Sequence, residues 1–519
     1  MFGTTALKRF FPTQTWLFLA LWLGAMLLGR DRLFGDPGSL WHIVVGQQIL
    51  ASHEFLRTDS FSFTHAGEPW VPQSWLCECG LALLHRLDGL NTILTAAAAL
   101  LAGLYAWIAH RLLRAGLHPL LAVLFTLLAM LASAYHFHPR PHLLSILFLG
   151  WTFALLCDVE AGRVSRRRLI WLLPLFVVWT NVHGGMLGWL GTLAVTVLGW
   201  CVARRTWMDG PSLSLWQMVG LALIVVGCGF TAFLNPYGTA LPRTWFALLR
   251  SPLLPRLIDE HAPLLQAGWA GGAVVLFGVI YLVALLGVLP ARLRVSWLVP
   301  ILWLALSFTR IRHGPLFAIT AVIALADVFP HIRWAAWLAR KGSVMCRLQP
   351  QADAKAGGRL DLAPVVLPCL VVSATLLAQA TGLSFPGSGR EWVRLDPRSC
   401  PMELLPQLCQ VESHEPAGTP IFNEMLFGGF LIYYTPGLRV FIDDRCELYG
   451  DDDLMAYAVA LRDDPSQVNR WADRYGFNYA LTRAGSSFDT YLRQEGWTVL
   501  GETKTATLFQ RNARSKHAR

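Results

Sequence analysis

The sequence is poor in charged residues: Asp, Glu, Lys and Arg make up only 15% of the 519 residues, whereas 54% are hydrophobic. Soluble domains are nearer about 25% charged, so this composition excludes an ordinary soluble protein and indicates a membrane protein. The formal net charge of +10 does not indicate a nucleic-acid partner. The arginines cluster in short loops between apolar runs, where they set the orientation of a protein in the membrane.

Several motifs that mark other functions are also absent. We find no glycine-rich dinucleotide fingerprint, no phosphate-binding P-loop and no internal repeat of the kind that secondary transporters carry. The ten cysteines show no metal-like pairing beyond Cys77-Glu78-Cys79, which is too tightly spaced for a typical zinc site. Cys400 and Cys409 have two interpretations, a disulfide outside the cytoplasm or two free thiols.

Eleven apolar segments predict membrane-spanning helices. The first has no small-residue cleavage site before Arg30, so we interpret it as an uncleaved span whose N-terminus lies inside. Several are shorter than the ~20 residues of a full crossing, so either their polar ends surround a cavity or the true bounds differ by a few residues. The segments are Trp16–Leu28, Leu90–His110, Leu120–Ala134, Leu143–Cys157, Leu169–Trp179, Met186–Val202, Met218–Leu234, Gly271–Leu289, Trp297–Phe308, Leu316–Phe329 and Val365–Ala380.

The charges between these segments support the count. With the N-terminus inside, five successive inner loops carry the positive charge typical of the cytoplasmic side, and a miscounted helix would invert this pattern downstream. The chain after about Gly382 is then predicted to lie outside. The cations of the inner loops are Arg111 and Arg114; Arg163, Arg166, Arg167 and Arg168; Arg204 and Arg205; Arg292 and Arg294; and Arg333, Arg340, Lys341 and Arg347.

The outer side collects the unusual residues. Residues 30–89 form the predicted first outer loop, whose Gly35–Glu78 stretch is too polar to span a bilayer and contains acids, histidines and tryptophans. Ionisable residues at membrane depth cost about 2.5–3.5 kcal/mol each and usually face a cavity or a partner. Their concentration on one side predicts an outward-facing active or binding site. The other outer loops are Tyr135–His142, Thr180–Gly185, Leu234–Pro263 and Thr309–Gly314.

Three acids of the first outer loop are candidates for catalysis, and each also has a structural interpretation. Asp36 precedes a helix that starts near Ser39 and can cap it, which does not exclude catalysis. Asp59 precedes an alternating, strand-like stretch and can be a turn residue. Glu78 lies on an apolar, helix-like stretch, where a buried carboxylate needs a partner.

Cations and histidines of the other outer loops are candidates for phosphate binding. Arg140 and His142 lie in a stretch that two prolines keep extended, which disfavours a metal site built from its three histidines. His183 follows Asn181 in a tight turn and either caps a helix or reaches the site. The loop with Arg310, Arg312 and His313 carries cations where the positive-inside bias argues against them, and arginine forks suit phosphate.

The tail has the composition of a soluble α/β domain. After a linker at residues 383–390, residues 391–519 alternate predicted strands and helices, which favours a small parallel or mixed sheet. Asn423 follows the first strand, and Asp443 and Arg445 follow the second, at the strand ends where α/β sheets place ligands. A turn closed by Asp and Arg is the simpler interpretation. The predicted elements are strands Thr419–Phe422, Arg439–Ile442 and Phe477–Leu481, helices Asp451–Arg462, Pro465–Tyr475 and Ser487–Gln494, and strands around Thr498 and Thr507.

This plan resembles the GT-C superfamily of integral membrane glycosyltransferases. The shared features are one N-terminal span, a large first outer loop with an acid just after the membrane, an amphipathic helix in that loop (Ser39–Ala51), many further spans and a C-terminal extracytoplasmic domain. The chain is also similar to bacterial membrane proteins with six short motifs. These are Asp-Pro-x-x-x-Trp-His (Asp36–His42), Asp-x-Phe-Ser (Asp59–Ser62), Arg-Pro-His (Arg140–His142), Asn-x-His-Gly (Asn181–Gly184), Asn-Pro-Tyr-Gly (Asn235–Gly238) and Val-Phe-Ile-Asp-x-Arg (Val440–Arg445).

The resemblance implies a polytopic α-helical protein of the bacterial inner membrane, with about 11 spans in residues 1–382, its N-terminus inside and its C-terminal α/β domain outside. It also implies a reaction that moves a sugar, with inversion, from a polyprenyl-phosphate carrier to an acceptor glycan, lipid or protein on the outer face. A donor that enters from the bilayer needs no nucleotide-binding fold, and the sequence shows none. A lipid-linked sugar transporter or flippase and an envelope assembly factor are the alternatives.

The resemblance further implies roles for the candidate residues. Asp36 would deprotonate or orient the acceptor hydroxyl, supported by Asp59 or Glu78. Some relatives hold a divalent metal with an Asp-x-Asp motif in the first outer loop, but this loop has none, so we predict no cofactor and keep a divalent metal as the alternative. Cations and histidines would flank the leaving phosphate, and the tail residues would cap the site or hold the acceptor. The former are His42, Arg140, His142, His183, Arg310, Arg312 and His313, and the latter are Asn423, Asp443 and Arg445.

Overall fold

A computed structural model of the chain describes residues 13–335, 363–383 and 392–512. Most of the predicted linker, at 384–390, and the inner-loop cations Arg340, Lys341 and Arg347 lie outside the described residues.

Each of the eleven apolar segments forms a helix, which confirms the predicted α-helical bundle. Five helical stretches are long and apolar enough to cross a membrane, and the other apolar helices are shorter. The number of crossings and their orientation stay predictions. The five are Trp75–Arg114, Pro141–Glu160, Leu215–Phe233, Gly268–Leu286 and Ile311–His331. The bundle helices are Thr13–Leu28, Leu90–Arg114, Pro119–Ala132, Pro141–Glu160, Leu172–Val182, Met186–Val202, Leu215–Phe230, Gly268–Leu286, Val295–Ser307, Gly314–Val328 and Ala363–Ala380.

An arginine cluster lies at one end of this bundle. Arg163 Nη2 is 2.7 Å from both Asp158 and Asp327, and Arg111 Nη2 is 3.0 Å from Asp158. The helix Pro141–Glu160 starts beside Arg140 and ends near this cluster. Its 20 residues span about 30 Å at 1.5 Å per residue, so the predicted inner arginines and the predicted outer loops occupy opposite ends of the bundle.

The first outer loop contains two helices joined by an irregular segment. The helix Gly38–Ser52 follows Pro37 and ends at His53, whose left-handed backbone turns the chain (φ 58°). The helix Trp75–Asp88 leads through Gly89, also at positive φ, into the helix Leu90–Arg114. A later outer loop contains the helices Ala240–Arg250 and Leu254–Leu257.

The C-terminal domain has a five-stranded mixed sheet, as predicted. Its strands are β1 (Thr419–Asn423), β2 (Leu438–Val440), β3 (Tyr479–Arg483), β4 (Thr498–Glu502) and β5 (Ala506–Gln510), in the order β2-β1-β3-β5-β4. β1 runs parallel to β2 and β3, whereas β5 is antiparallel to β3 and β4. The helices are Leu405–His414, Gly428–Tyr434, Cys446–Arg462, Gln467–Tyr475 and Ser487–Gln494. Cys400 is buried, Cys409 is exposed, and both are free thiols.

The first outer loop covers the β2 edge of this sheet. The backbone of Phe61 accepts a hydrogen bond from Val440 N, and Phe63 N donates to Val440 O, each at 3.1 Å. The strand-like stretch after Asp59 therefore pairs with β2, which protects an edge strand from pairing with another chain. Helix Gly38–Ser52 and the domain also share one apolar core, in which Leu40, Trp41, Val45 and Ile49 join Phe430, Leu431 and Val440.

Candidate active site

A cavity of about 670 Å³ lies where the first outer loop, the other predicted outer loops and the C-terminal domain meet. We call it the central cavity. It brings together predicted site residues from separate parts of the chain, in agreement with the predicted convergence of the outer loops. Those that line it are Asp36, His42, Glu78, Arg140, His142, His183 and Arg312.

Asp36 occupies the start of the helix Gly38–Ser52. Its Oδ1 accepts a hydrogen bond from Gly38 N at 2.9 Å, and its Oδ2 forms a salt bridge with Arg140 Nη1. Pro37 holds the N-cap position, so Asp36 lies one residue before it. Its bond to Gly38 N still satisfies one amide of the helix start and leaves the second oxygen at the cavity. The tail packs closely against the residue that follows Asp36: a Cβ added at Gly429 would lie 2.3 Å from Pro37 O, so only glycine fits there.

Arg140 binds a second carboxylate that comes from the C-terminal domain. Its Nη2 donates to Asp444 Oδ2 at 2.7 Å, and its Nη1 lies 3.7 Å from Glu260 Oε1. Asp444 Oδ1 accepts a further bond from Trp41 Nε1 at 2.7 Å. The Arg140 guanidinium, at the start of a bundle helix, thus connects the first outer loop to the tail. The side chains of Arg140, Asp36 and Asp444 are 16–25% exposed, toward the cavity.

The environments of these two acids push their pKa values apart. Burial would raise the pKa of Asp36, but the nearby Arg140 and His138 outweigh it and hold that pKa below its usual value. Burial, with Asp36 close by, raises the pKa of Asp444 to about 6 despite the attraction of Arg140. Asp36 is therefore ionised throughout the physiological range, whereas Asp444 titrates near its lower end.

Glu78 and His42 form a second polar pair in the cavity wall. Glu78 Oε1 lies 2.8 Å from His42 Nδ1, and the His42 ring stacks on Trp41. Burial and the nearby Arg140 hold the pKa of His42 well below its usual value, so the imidazole is neutral. The other oxygen of Glu78, Oε2, is buried and has no hydrogen-bond partner among the described residues. Glu78 thus has the structural partner that its burial requires, while its second oxygen is buried and unpartnered at the cavity wall.

Arg312 is the cation at another wall of the cavity. Its Nη1 donates to His261 Nε2 at 2.7 Å. Burial and the arginines beside it lower the pKa of His261 to about 2, so this imidazole is neutral and able to accept. Within the described ranges Arg312 forms no salt bridge, and Glu260 attracts it only from a longer distance, so its charge is only partly compensated within the chain.

The structure separates Arg310 and His313 from Arg312, with which they were predicted to act. Neither lines the central cavity. Arg310 Nη1 lies 3.3 Å from His261 Nδ1, behind the imidazole that Arg312 contacts, and His313 Nδ1 lies 3.1 Å from Leu306 O. Arg310 and Arg312 contact opposite nitrogens of the same His261 ring, and only Arg312 lines the cavity. The structure therefore does not place Arg310 and His313 at the predicted phosphate contact.

His142 and His183 lie on the histidine-rich side of the cavity. His142 packs against His136, with ring centroids 4.6 Å apart, and its Nε2 is buried without a partner among the described residues. His183 Nδ1 is 2.8 Å from Ser145 Oγ. Burial and the nearby Arg312 lower the pKa of His183 to about 3, so this side offers neutral hydrogen-bonding groups beside the cation.

Four further predicted site residues do not line the cavity either, and their contacts indicate structural roles. Asp59 accepts bonds from the backbone of Phe61 and Ser62 and from Arg445 Nη1 at 2.6 Å. Arg445 also binds Asp443 with Nε and Nη2, at 2.8 and 2.6 Å, and is fully buried. The predicted catalytic support by Asp59 and acceptor contact by Asp443 and Arg445 are therefore revised, because every charge is satisfied internally.

Asn423 is the fourth of these residues. Its side chain bonds the backbone of Phe441 and Ile442 at 2.8 and 2.7 Å and is fully buried. It therefore ties the end of β1 to the segment after β2 instead of reaching an acceptor.

The sequence analysis missed several residues that line the cavity. Asp444 follows Asp443 directly in the sequence, and nothing in the sequence shows which of the two side chains faces the cavity. Glu260 and His261 lie on the long predicted outer loop Leu234–Pro263, where a charged residue is as readily explained by exposure to solvent. Trp41 belongs to the motif Asp36–His42 but was given no role, and Glu447 lies between two acidic stretches where nothing singles it out. All five line the central cavity.

The acids of the cavity do not fit a resident divalent metal. A metal ion bound between the first outer loop and the tail would need Asp36 and Asp444 as ligands. All four of their oxygens already accept hydrogen bonds, from Gly38, Trp41 and Arg140. We therefore derive no chemistry from a metal at this position.

The fold is similar to solved structures of glycosyltransferases. The oligosaccharyltransferase of Archaeoglobus fulgidus in the apo form matches with a TM-score of 0.53 and 12% identity over 91% of this chain and 69% of that chain. The same enzyme tethered to an acceptor peptide with the NVT sequon matches with a TM-score of 0.52, the same identity and the same coverage. ArnT from Cupriavidus metallidurans bound to undecaprenyl phosphate aligns over 96% of this chain and 98% of that chain at 16% identity, but its TM-score of 0.47 is too low to support a functional comparison.

No protein-family model and no curated protein sequence matches the chain. At 12% identity the similarity concerns the fold alone. It agrees with the resemblance drawn from the short motifs, which covers nearly the whole chain. This chain therefore shares the fold of the archaeal oligosaccharyltransferase, as the resemblance to the GT-C superfamily implied.

Proposed function

We propose that the protein is a glycosyltransferase that moves a sugar, with inversion, from a polyprenyl-phosphate carrier to an acceptor on the outer face of a bacterial inner membrane. The observation that carries this proposal is the pairing, in one cavity, of an ionised carboxylate, Asp36, with an arginine that has no salt bridge among the described residues, Arg312. A sugar phosphate and an acceptor hydroxyl need these two groups.

The reaction requires one group at each side of the transferred carbon. The acceptor oxygen forms a bond to the anomeric carbon while the bond from that carbon to the carrier phosphate breaks. Asp36 accepts the hydroxyl proton. Because its pKa is low, Asp36 is a weak base, and its main contribution is to orient and polarise the hydroxyl as the new bond forms. Arg312 neutralises the charge that develops on the leaving phosphate.

The surroundings of the cavity suit a lipid-linked donor. It lies at the end of a bundle of apolar helices, so a polyprenyl chain can remain in the bilayer while its phosphate reaches Arg312. His142 and His183 supply neutral hydrogen-bonding groups beside it. The fold is that of an enzyme whose name describes transfer of an oligosaccharide, and this supports a transferase over a transporter or an assembly factor.

The test is transfer of radiolabelled sugar by membranes that contain the full-length protein. A panel of polyprenyl-phosphate sugars is offered, with nucleotide sugars as the control donors. We expect labelled product from at least one lipid-linked donor and none from the nucleotide sugars. Movement of the lipid-linked sugar across proteoliposomes without product would favour the flippase alternative, and neither activity would favour an assembly factor.

A further inference from the structure

Arg140 occupies the point where the acids of the central cavity converge. It forms salt bridges with Asp36 and Asp444, and Glu260 lies 3.7 Å away. In the resembling family some members place a divalent metal among acids of the first outer loop. Here the corresponding charge belongs to the chain itself.

We propose that Arg140 acts as a built-in cation that holds Asp36 and Asp444 in register across the cavity, and that the reaction needs no divalent metal for this reason. The proposal rests on the proposed function for its catalytic part. Its structural part, that one guanidinium fills the place of a cation between the two carboxylates, stands on the contacts alone.

The hydrogen bonds of the two acids support this assignment. Each carboxylate gives one oxygen to Arg140 and the other to a fixed donor, Gly38 N for Asp36 and Trp41 Nε1 for Asp444. A planar guanidinium presents a fork of donors that matches two carboxylates. The acids are therefore held by directional bonds, which a metal ion would have to break.

The space on the helix side of the fork is closed as well. A Cβ added at Gly38 would lie 2.2 Å from Asp444 Oδ2 and 2.6 Å from Arg140 Nη2. The helix start is thus packed directly against the ion pair on this side. On the cavity side, Arg140 itself occupies the position between the two carboxylates. Removing Arg140 would leave Asp36, Asp444 and Glu260 around a vacant volume, which is a set of hard oxygen ligands suited to Mg²⁺ or Mn²⁺.

The test compares wild type with Arg140→Ala in EDTA, in Mg²⁺ and in Mn²⁺. We expect wild-type transfer to change less than about twofold between EDTA and metal. Arg140→Ala should lose more than about 100-fold in rate and regain at least about tenfold when Mn²⁺ is added. Arg163→Ala is the matched control, because Arg163 also lies between two carboxylates, Asp158 and Asp327, but far from the cavity. Its transfer rate should not depend on metal.

A second readout does not depend on transfer. Thermal unfolding of the purified full-length protein in detergent should shift upward with Mn²⁺ in Arg140→Ala and not in wild type, and adding Asp444→Asn to Arg140→Ala should abolish the shift. A wild type that loses transfer in EDTA and regains it with Mg²⁺ would overturn the proposal. So would an Arg140→Ala protein whose melting temperature ignores Mn²⁺. If no donor is turned over, the proposed function fails while the thermal shift still decides the role of Arg140.

Discussion

Arg140 and Arg445 each bind two carboxylates, one from the first outer loop and one from the C-terminal domain. Arg140 binds Asp36 and Asp444 at the wall of the central cavity. Arg445 binds Asp59 and Asp443, is fully buried, and stacks near the Phe61 and Trp70 rings at 5.1 and 4.6 Å. The two clusters have nearly the same chemistry, but a ligand can reach the Arg140 cluster from the cavity and cannot reach the Arg445 cluster.

The difference shows that burial, and not residue type, separates a structural ion cluster from a candidate catalytic one. The Asp443 carboxylate accepts four bonds, from Arg445 N, Nε and Nη2 and from the Tyr449 hydroxyl, which leaves no oxygen for a ligand. Asp444 points the other way, into the cavity. Each arginine also fastens the tail to the first outer loop, so the site is assembled from two parts of the chain that must dock before it exists.

The largest effect is expected from removing the buried arginine. Arg445→Ala leaves Asp59 and Asp443 as unpaired buried charges, and we expect a loss of about 3–5 kcal/mol in the free energy of unfolding. Denaturation in detergent measures it. Arg462→Ala, which removes an exposed arginine paired with Asp463 in the same domain, is the control and should leave the free energy of unfolding nearly unchanged, because solvent screens this pair. Equal stability of the two variants would refute the structural role of Arg445.

The next largest effect concerns the cavity cation. Arg312→Ala should lower kcat about 10²–10³-fold, because the leaving phosphate loses its cation. Arg310→Ala is a close control, since Arg310 contacts the same His261 ring but does not line the cavity. Its kcat should fall less than about threefold. A similar fall in kcat in both variants would show that Arg312 is not the specific contact of the leaving phosphate.

A smaller loss of transfer is expected when Arg140 and Asp444 are moved apart and both charges are kept. Gly38→Ala introduces a Cβ that meets Asp444 Oδ2, and we expect transfer to fall about 10- to 100-fold through the displaced groups. Gly80→Ala is the control, because a Cβ there meets nothing within 4 Å. Steady-state transfer rates compare the two, and wild-type activity in Gly38→Ala would show that the contact is not needed.

The smallest effect is a change in pH dependence. The pKa of Asp444 is raised to about 6, so its ionised form, which Arg140 requires, is lost as the pH falls through about 6. Wild-type transfer should decline below that pH, and Asp444→Asn should lose this dependence at a rate about tenfold lower. Asp443→Asn should lower stability and keep the wild-type pH profile. A decline that persists unchanged in Asp444→Asn would assign it to another group.

The sequence was sufficient for the parts of the fold that depend on local patterns. Apolar runs located all eleven bundle helices, because burial in a bilayer follows directly from side-chain polarity. Short strand-like runs between the predicted helices of the tail located the five strands to within a few residues. It was insufficient where position depends on distant packing. Arg140 and Asp444 are 304 residues apart, and nothing local distinguishes Asp444 from Asp443 or Arg312 from Arg310.

The most direct test of the account is the transfer rate of Asp36→Asn in full-length protein at wild-type expression level. Asp31→Asn is the matched control, since Asp31 lies five residues away and is half exposed. We predict that Asp36→Asn loses at least about 100-fold in rate while Asp31→Asn stays within about twofold of wild type. Full activity in Asp36→Asn would contradict the assignment of the central cavity as the catalytic centre.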